Sequence, residues 1–438
     1  MAVLSICGTE KVAALAAALP LLATTLGAQA PKTARPPRQV QPDVPALLQS
    51  AEQALNRNDF AAAVTALKSV LTAEPESVPA WFNLAYAYSA LHKNEEAVKA
   101  YQKTLELAPD LFEARLNLGI LFIEMKQAPA ALEHLEKAAV AKPQHARAHL
   151  YYGRALNLTG QPEAAEKQIQ TALQLDPSLA IGHYDLGQIY LGEKRFAEAA
   201  TAFRKALESD SKLGRAELGL ALAAEGLQKQ TEAATHFEKY LAAVPDDLET
   251  RFHLARIYLG LNHNEQALSN LLQVYQANPK LPGLAAALGD VNALLRKFPE
   301  SEKFYREAVA ASPGVADLHR ALGQTLLDES KLPEAENEFR AALKLDAQNR
   351  EVAKGLATSL YLQKRYQETV PLLEALLHSP DCPPGLLFVL ATCYDHLRDR
   401  PKALEAYEKF LELSQGKSLD HEWQARQRIK LLRRELGK

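Results

Sequence analysis

An all-α fold, a solenoid stacked from one repeated helical hairpin, is what this sequence predicts, and three observations carry the prediction. Pro75, Pro109, Pro143 and Pro177 stand 34 residues apart, and so do Pro245, Pro279 and Pro313, in the same phase. Counting each repeat from 31 residues before its proline gives starts at Val44, Val78, Phe112, Ala146, Ala180, Gly214, Leu248, Pro282, Ala316, Arg350 and Pro384. The eighth residue of every repeat is small, as in Ala51, Ala85, Gly119, Gly153 and Gly187, and the twentieth is alanine in nine, with Ser301 and Thr369 in the other two. Small residues at both places let two helix backbones approach. Large apolar residues at helical spacing around them, such as Trp81, Leu84, Tyr88 and Tyr101, supply the rest of each contact.

The elements follow in order. Val12 to Leu26 is an uncharged apolar run, followed by Ala28-Gln29-Ala30 with the small residues a signal peptidase needs, so residues 1–30 read as a signal peptide. Pro31 after Ala30 disfavours cleavage at that bond, which leaves cleavage after Ala28 or an uncleaved membrane anchor as alternatives. Residues 31–43 are a Pro-rich basic linker. Residues 44–417 hold eleven 34-residue repeats without insertion or deletion. In each, a polar stretch such as His92-Lys93-Asn94 separates two helices, and the proline ends the second because it cannot continue one. Residues 418–438 form a capping helix with Leu419, Trp423, Ile429, Leu432 and Leu436 as its apolar set, its six Lys and Arg from Arg426 onward forming a solvated face. No later apolar run is long enough to span a bilayer, so the expected location is a periplasm or beyond.

Bulk composition narrows the function. The net charge of −3 comes from 50 basic and 53 acidic residues spread along the chain, which makes no field that would gather nucleic acid. The cysteines are Cys7, Cys382 and Cys393, without zinc-type spacing. A helix rise of 1.5 Å per residue puts Cys382 and Cys393 on the order of 15 Å apart, too far for a disulfide, so both read as free.

At Leu186, Gly187, Tyr190, Ala199, Phe203 and Ala206 the repeat resembles the tetratricopeptide repeat (TPR). The resemblance implies a right-handed superhelix whose first helices line a groove, with repeat positions 2, 5, 6, 9, 12 and 13 facing a bound protein segment. Carried onto this chain, the candidate groove residues are Phe82, Asn83, Tyr86, Asn117, Arg147, Tyr151, Arg154, Tyr184, Asp185, Gln188, Arg215, His253 and Arg256. Amide groups there suit a peptide backbone, and guanidinium groups suit a carboxylate. The chaperone-tail clamp of some family members needs Lys at position 5 with Asn at position 9. Here Lys354 is followed by Thr358, so that receptor role is not expected.

Catalytic motifs of the GxSxG, phosphate-loop, GxGxxG and HExxH kinds are missing from the sequence. His145 and His149 have a spacing compatible with a metal, but position 4 of the repeat is a packing position, which assigns His149 to the core. The expected function is therefore an exported protein-protein interaction scaffold, neither an enzyme nor a holder of metal or cofactor. The alternative is a regulatory subunit that presents substrates to a separate enzyme.

Overall fold

A computed structural model of the chain describes residues 43–378, 383–416 and 418–437. The predicted signal peptide, the linker apart from Asp43, Cys7, and Cys382 with any bridge it could make lie outside the described residues. The described residues hold 23 helices and no strand. Twenty-two of them pair into eleven helical hairpins, and the last, Leu419–Glu435, stands alone. In hairpin 2, for example, Val78–Ala90 is joined to Asn94–Leu107. The chain divides at His236 and Phe237, inside the helix Gln230–Ala243, into two compact units, each a stack of hairpins.

What turns one helix into the next is the fifteenth residue of the repeat. It adopts the left-handed conformation in all eleven hairpins, with φ between 56° and 62° at ten non-glycine residues from Asn58 to Arg398 and 80° at Gly160. Each side chain there carries a strain of roughly 1–2 kcal/mol. The geometry is held because the following N–H can then turn back onto the first helix. Lys93 N–H donates to the Tyr88 carbonyl at 2.9 Å, and the equivalent bond closes every hairpin.

Position 24 forms the wedge between hairpins. Its side chains, from Leu67, Tyr101, Leu135 and Ile169 through Phe203 to Tyr407, are at most 4% exposed. Gly187 at position 8 leaves the space that the Phe203 ring fills: a Cβ there would lie 2.6 Å from the ring. The same ring reaches forward to Gly219 at position 6 of the next hairpin, where a Cβ would meet it at 2.5 Å. Phe339 sits in the same way between Gly323 and Gly355. Position 20 is fully buried in every hairpin, including Ser301, whose hydroxyl donates to the Gly289 carbonyl at 2.9 Å. One wedge thus locks its own hairpin and the next, which is why each repeat is stable only beside neighbours.

Two details depart from the sequence reading. The first helix of hairpin 8 begins at Leu284, two residues later than the repeat start, because Gly283 takes φ 78° directly after Pro282. In the terminal helix, Glu422, Ala425, Ile429 and Leu432 are buried, whereas Leu419 and Trp423 are 73% and 64% exposed. From Trp423 to Ile429 is six residues, about 240° around a helix of 3.6 residues per turn, so the two cannot share a face. Glu422 turns inward instead, accepting from Ser414 Oγ and Gly416 N, each at 2.6 Å.

Cys393 is buried, and burial alone pushes its thiol up to about 12. Few thiolates form at neutral pH, so it acts as a small core residue. Among the described residues no helix is long and apolar enough to cross a membrane.

Candidate partner-binding groove

The predicted groove residues fall into three groups. Phe82, Asn83 and Asn117 are fully buried, and Tyr151 is 5% exposed. This corrects the expectation that they present a surface. Phe82 packs edge-on against the Tyr101 ring, 5.9 Å between centroids, as part of the wedge. Asn117 lies beside the Tyr101 hydroxyl, whose titration burial pushes far up. The Asn117 amide at position 6 therefore serves a buried phenol.

The second group is a cluster on the first helices of hairpins 4 and 5, Ala146–Leu158 and Ala180–Gly192. Arg154 Nε lies 3.1 Å from Asp185 Oδ2, an ion pair that crosses from one hairpin to the next. The Arg154 guanidinium also sits 5.6 Å from the centre of the Tyr151 ring. Burial raises the Tyr151 phenol, while Arg154 and Arg147 nearby partly offset it. On the neighbouring helix Gln188 Nε2 donates to Tyr184 Oη at 3.1 Å, and the Tyr184 ring packs 5.7 Å from Phe203. Position 9 and position 6 side chains are thus joined into a half-buried polar strip resting on the apolar wedge.

The remaining residues stand apart from that strip. Tyr86 packs edge-on against Phe60 in hairpins 1 and 2, and Arg215 is half-buried on the first helix of hairpin 6. His253 and Arg256 belong to the second unit; His253 packs on Phe237 with centroids 5.3 Å apart, and Arg256 is exposed. A concavity of about 630 Å³ lies elsewhere in the first unit, between Gln170, Leu173, His183, Tyr190, Thr201 and Lys205. No candidate groove residue lines it, and its walls come largely from second helices.

Position 4 held a role that sequence reasoning missed. Trp81 Nε1 donates to the Pro75 carbonyl at 2.7 Å, and His149, His183 and His319 each place Nε2 3.0 Å from the carbonyls of Pro143, Pro177 and Pro313. Arg251 reaches Pro245 in the same way at 2.9 Å. Three residue types share one position because each carries an N–H at the same reach, six residues beyond the proline. The other nitrogen of His149 faces Gln168 Oε1 at 2.8 Å, and His145 Nδ1 accepts from Ala148 N–H as a helix cap. Both ring nitrogens of His149 and the Nδ1 of His145 are thus engaged within the fold. The recurrence of a nitrogen-bearing side chain at position 4 was the signal available in the sequence.

The models of the tetratricopeptide repeat match residues 78–111, 116–180, 184–247, 252–316 and 320–386. Among solved structures, MamA from Desulfovibrio magneticus RS-1 is 26% identical, with 40% of this chain and 99% of that chain covered and a TM-score of 0.38. PilW, described as a type IV pilus biogenesis factor, is 22% identical over 50% of this chain and 99% of that chain, with a TM-score of 0.43. YrrB, described as having an unusual peptide-binding site, is 21% identical over 43% and 97% of the two chains, with a TM-score of 0.37. No curated protein matches the chain. With the family matches covering more than half of its residues, the chain belongs to the tetratricopeptide-repeat family.

Proposed function

We propose that this chain is a protein-interaction scaffold that holds a segment of a partner protein against the first helices of its hairpins, centred in the first unit on hairpins 4 and 5. The observation that supports this most is the polar strip of Arg147, Arg154, Tyr184, Asp185 and Gln188, half-exposed on otherwise core-forming helices. A partner carboxylate would compete with Asp185 for the Arg154 guanidinium, and the Gln188 amide offers both a donor and an acceptor to a peptide backbone. Arg256 gives the second unit a basic contact of its own at the same repeat position as Arg154. The partner best suited is an extended or helical segment with an acidic group and apolar side chains. The reading carries no reaction for the chain itself. It extends to the cell envelope on the strength of the apolar run Val12 to Leu26 and the Ala28-Gln29-Ala30 site after it.

The test replaces Arg147, Arg154 and Arg256 with Ala and measures affinity for proteins captured by the wild-type chain from the envelope of its own cell. Loss of tenfold or more for one captured protein, with an unchanged thermal melt, supports the proposal. Unchanged affinity of every captured protein sinks the groove assignment, and a stoichiometric enzyme among them favours the substrate-presenting alternative. Mass determination of the mature amino terminus checks export separately, since an intact Met1 on soluble protein contradicts it.

A further inference from the structure

The terminal helix Leu419–Glu435 carries an unexplained surface. Tryptophan is usually well buried in a folded protein, yet Trp423 is 64% exposed, and Leu419 one turn before it is 73% exposed. Their position is fixed by the fold. Glu422 is only 4% exposed because it closes the end of the preceding helix through Ser414 and Gly416, and the next residue is rotated about 100° away from that contact.

The charges nearest the middle of that side are basic, with exposed Asp420 about 60° away at the apolar end. At 3.6 residues per turn, Lys430 and Arg434 fall within about 20° of Trp423, and Leu419 within about 40°. Arg426, Arg428 and Arg433 pair with Glu422, Asp395 and Glu408, whereas Lys430 and Arg434 make no ion pair among the described residues. The result is a stripe roughly 22 Å long, apolar at one end and positive along the rest.

We infer that this stripe docks the chain onto an anionic lipid surface, with Leu419 and Trp423 entering the headgroup layer and Lys430 and Arg434 meeting lipid phosphates. Area decides against a second copy of the chain, because an isologous contact centred on Leu419 and Trp423 would keep the cations at its two ends yet bury only those two apolar side chains from each copy. Size decides against a specific protein pocket: two apolar side chains fall far short of the ~800 Å² per partner that a stable interface buries. A lipid interface needs no complementary pocket, favours tryptophan at headgroup depth, and accepts apolar and basic groups side by side.

The chain has two tryptophans, so W81F leaves Trp423 as the sole indole reporter. The full chain is mixed with vesicles of phosphatidylcholine alone or with 30% (about one lipid in three, enough for a negative surface potential) phosphatidylglycerol. With the anionic vesicles Trp423 emission shifts to the blue and is shielded from iodide, and high salt reverses both. Replacing Lys430 and Arg434 with Glu weakens co-sedimentation at least tenfold, given roughly fivefold per basic residue. If W81F does not fold, the difference between wild-type and W423F spectra gives the same reading. Unchanged Trp423 emission on bound vesicles overturns the inference, because another segment then does the binding. So does an absence of binding to either vesicle. A blue shift that grows with protein concentration without lipid also overturns it, in favour of self-association.

Discussion

The two units seal their hairpin junctions differently. In the first, one apolar cluster runs without interruption from Ala51 to Ala155, through four hairpins, and another from Leu150 to Ala223. In the second, hairpins 8 to 10 have a smaller apolar cluster, from Tyr305 to Leu360, and carry an ion-pair ladder on their second helices. Lys331 pairs with Glu302 and Arg306 with Glu334 between hairpins 8 and 9. Arg365 pairs with Glu336 and Arg340 with Glu368 between hairpins 9 and 10, at the same repeat positions. The first unit has a counterpart in Arg195 and Glu166. The comparison teaches that the wedge at position 24 is the shared requirement, and that the ladder of charges accompanies the smallest of these clusters, since the second unit's other cluster, from Ala357 to Leu432, is about as large as the first unit's second.

The largest expected effect breaks the shared part. Gly187→Leu drives a side chain into the Phe203 ring and costs about 1–3 kcal/mol or more. Calorimetry should show this loss in the first unit's transition. The matching Gly323→Leu, against Phe339, should lower the second unit's instead. A single transition moved equally by both variants would mean that the units do not unfold as separate bodies. Trp81→Phe keeps the ring packing and removes the bond to the Pro75 carbonyl, an expected loss of about 0.5–1.5 kcal/mol by chemical denaturation.

Charge effects come next and sharpen the contrast. Glu336→Gln should cost the second unit about 1 kcal/mol or less at low salt, and less still in 1 M salt, because the guanidinium partners Arg340 and Arg365 of the buried Glu336 are exposed enough to be solvated without it. Acid should act in the same direction. Burial raises the Glu302 carboxyl, but hydrogen bonds from Lys331 and Arg306 outweigh it and hold it at about 2; Glu336 is also lowered, its burial outweighed by Gln363, Arg340 and Arg365. A carboxylate depressed in the folded state contributes stability that is complete above its unfolded pKa. That contribution is lost as pH falls from about 4.5 towards 2. The second unit's transition should therefore shift over that window, and Glu302→Gln should flatten the shift. The smallest effect has the opposite sign: Arg296→Gly at φ 57° relieves strain offset by the greater freedom of glycine when unfolded, a gain below about 1 kcal/mol in melts.

The fold was legible because a wedge that must fit between two fixed neighbours leaves a trace at constant spacing. Gly187 and Ala199 could be marked as a close helix approach from sequence, although the Phe203 ring that fills the space beside Gly187 was not placed. The turn was half legible: the polar break was visible, but ten non-glycine residues at positive φ were not, since the strain is carried by backbone bonds that no residue type announces. The groove was read least well. Asn83 and Asn117 look like surface amides in sequence, and only the depth of their helices places them inside. Arg154 looked like a clamp awaiting a carboxylate, while its counter-charge Asp185 came from the next repeat. The terminal helix misled because Leu419 and Trp423 were grouped by residue type, when Glu422 had already fixed the buried face.

The central claim is that a partner binds along the first helices, and site-specific photo-crosslinking tests it most directly. A photoreactive residue is placed at Gln188 on the first helix of hairpin 5, with a control at exposed Thr201 on its second helix. The account predicts one defined protein crosslinked from position 188 in the source cell, absent from position 201, and lost when Arg154 is replaced by Ala. Crosslinks to the same protein from position 201 but not from 188 would contradict it.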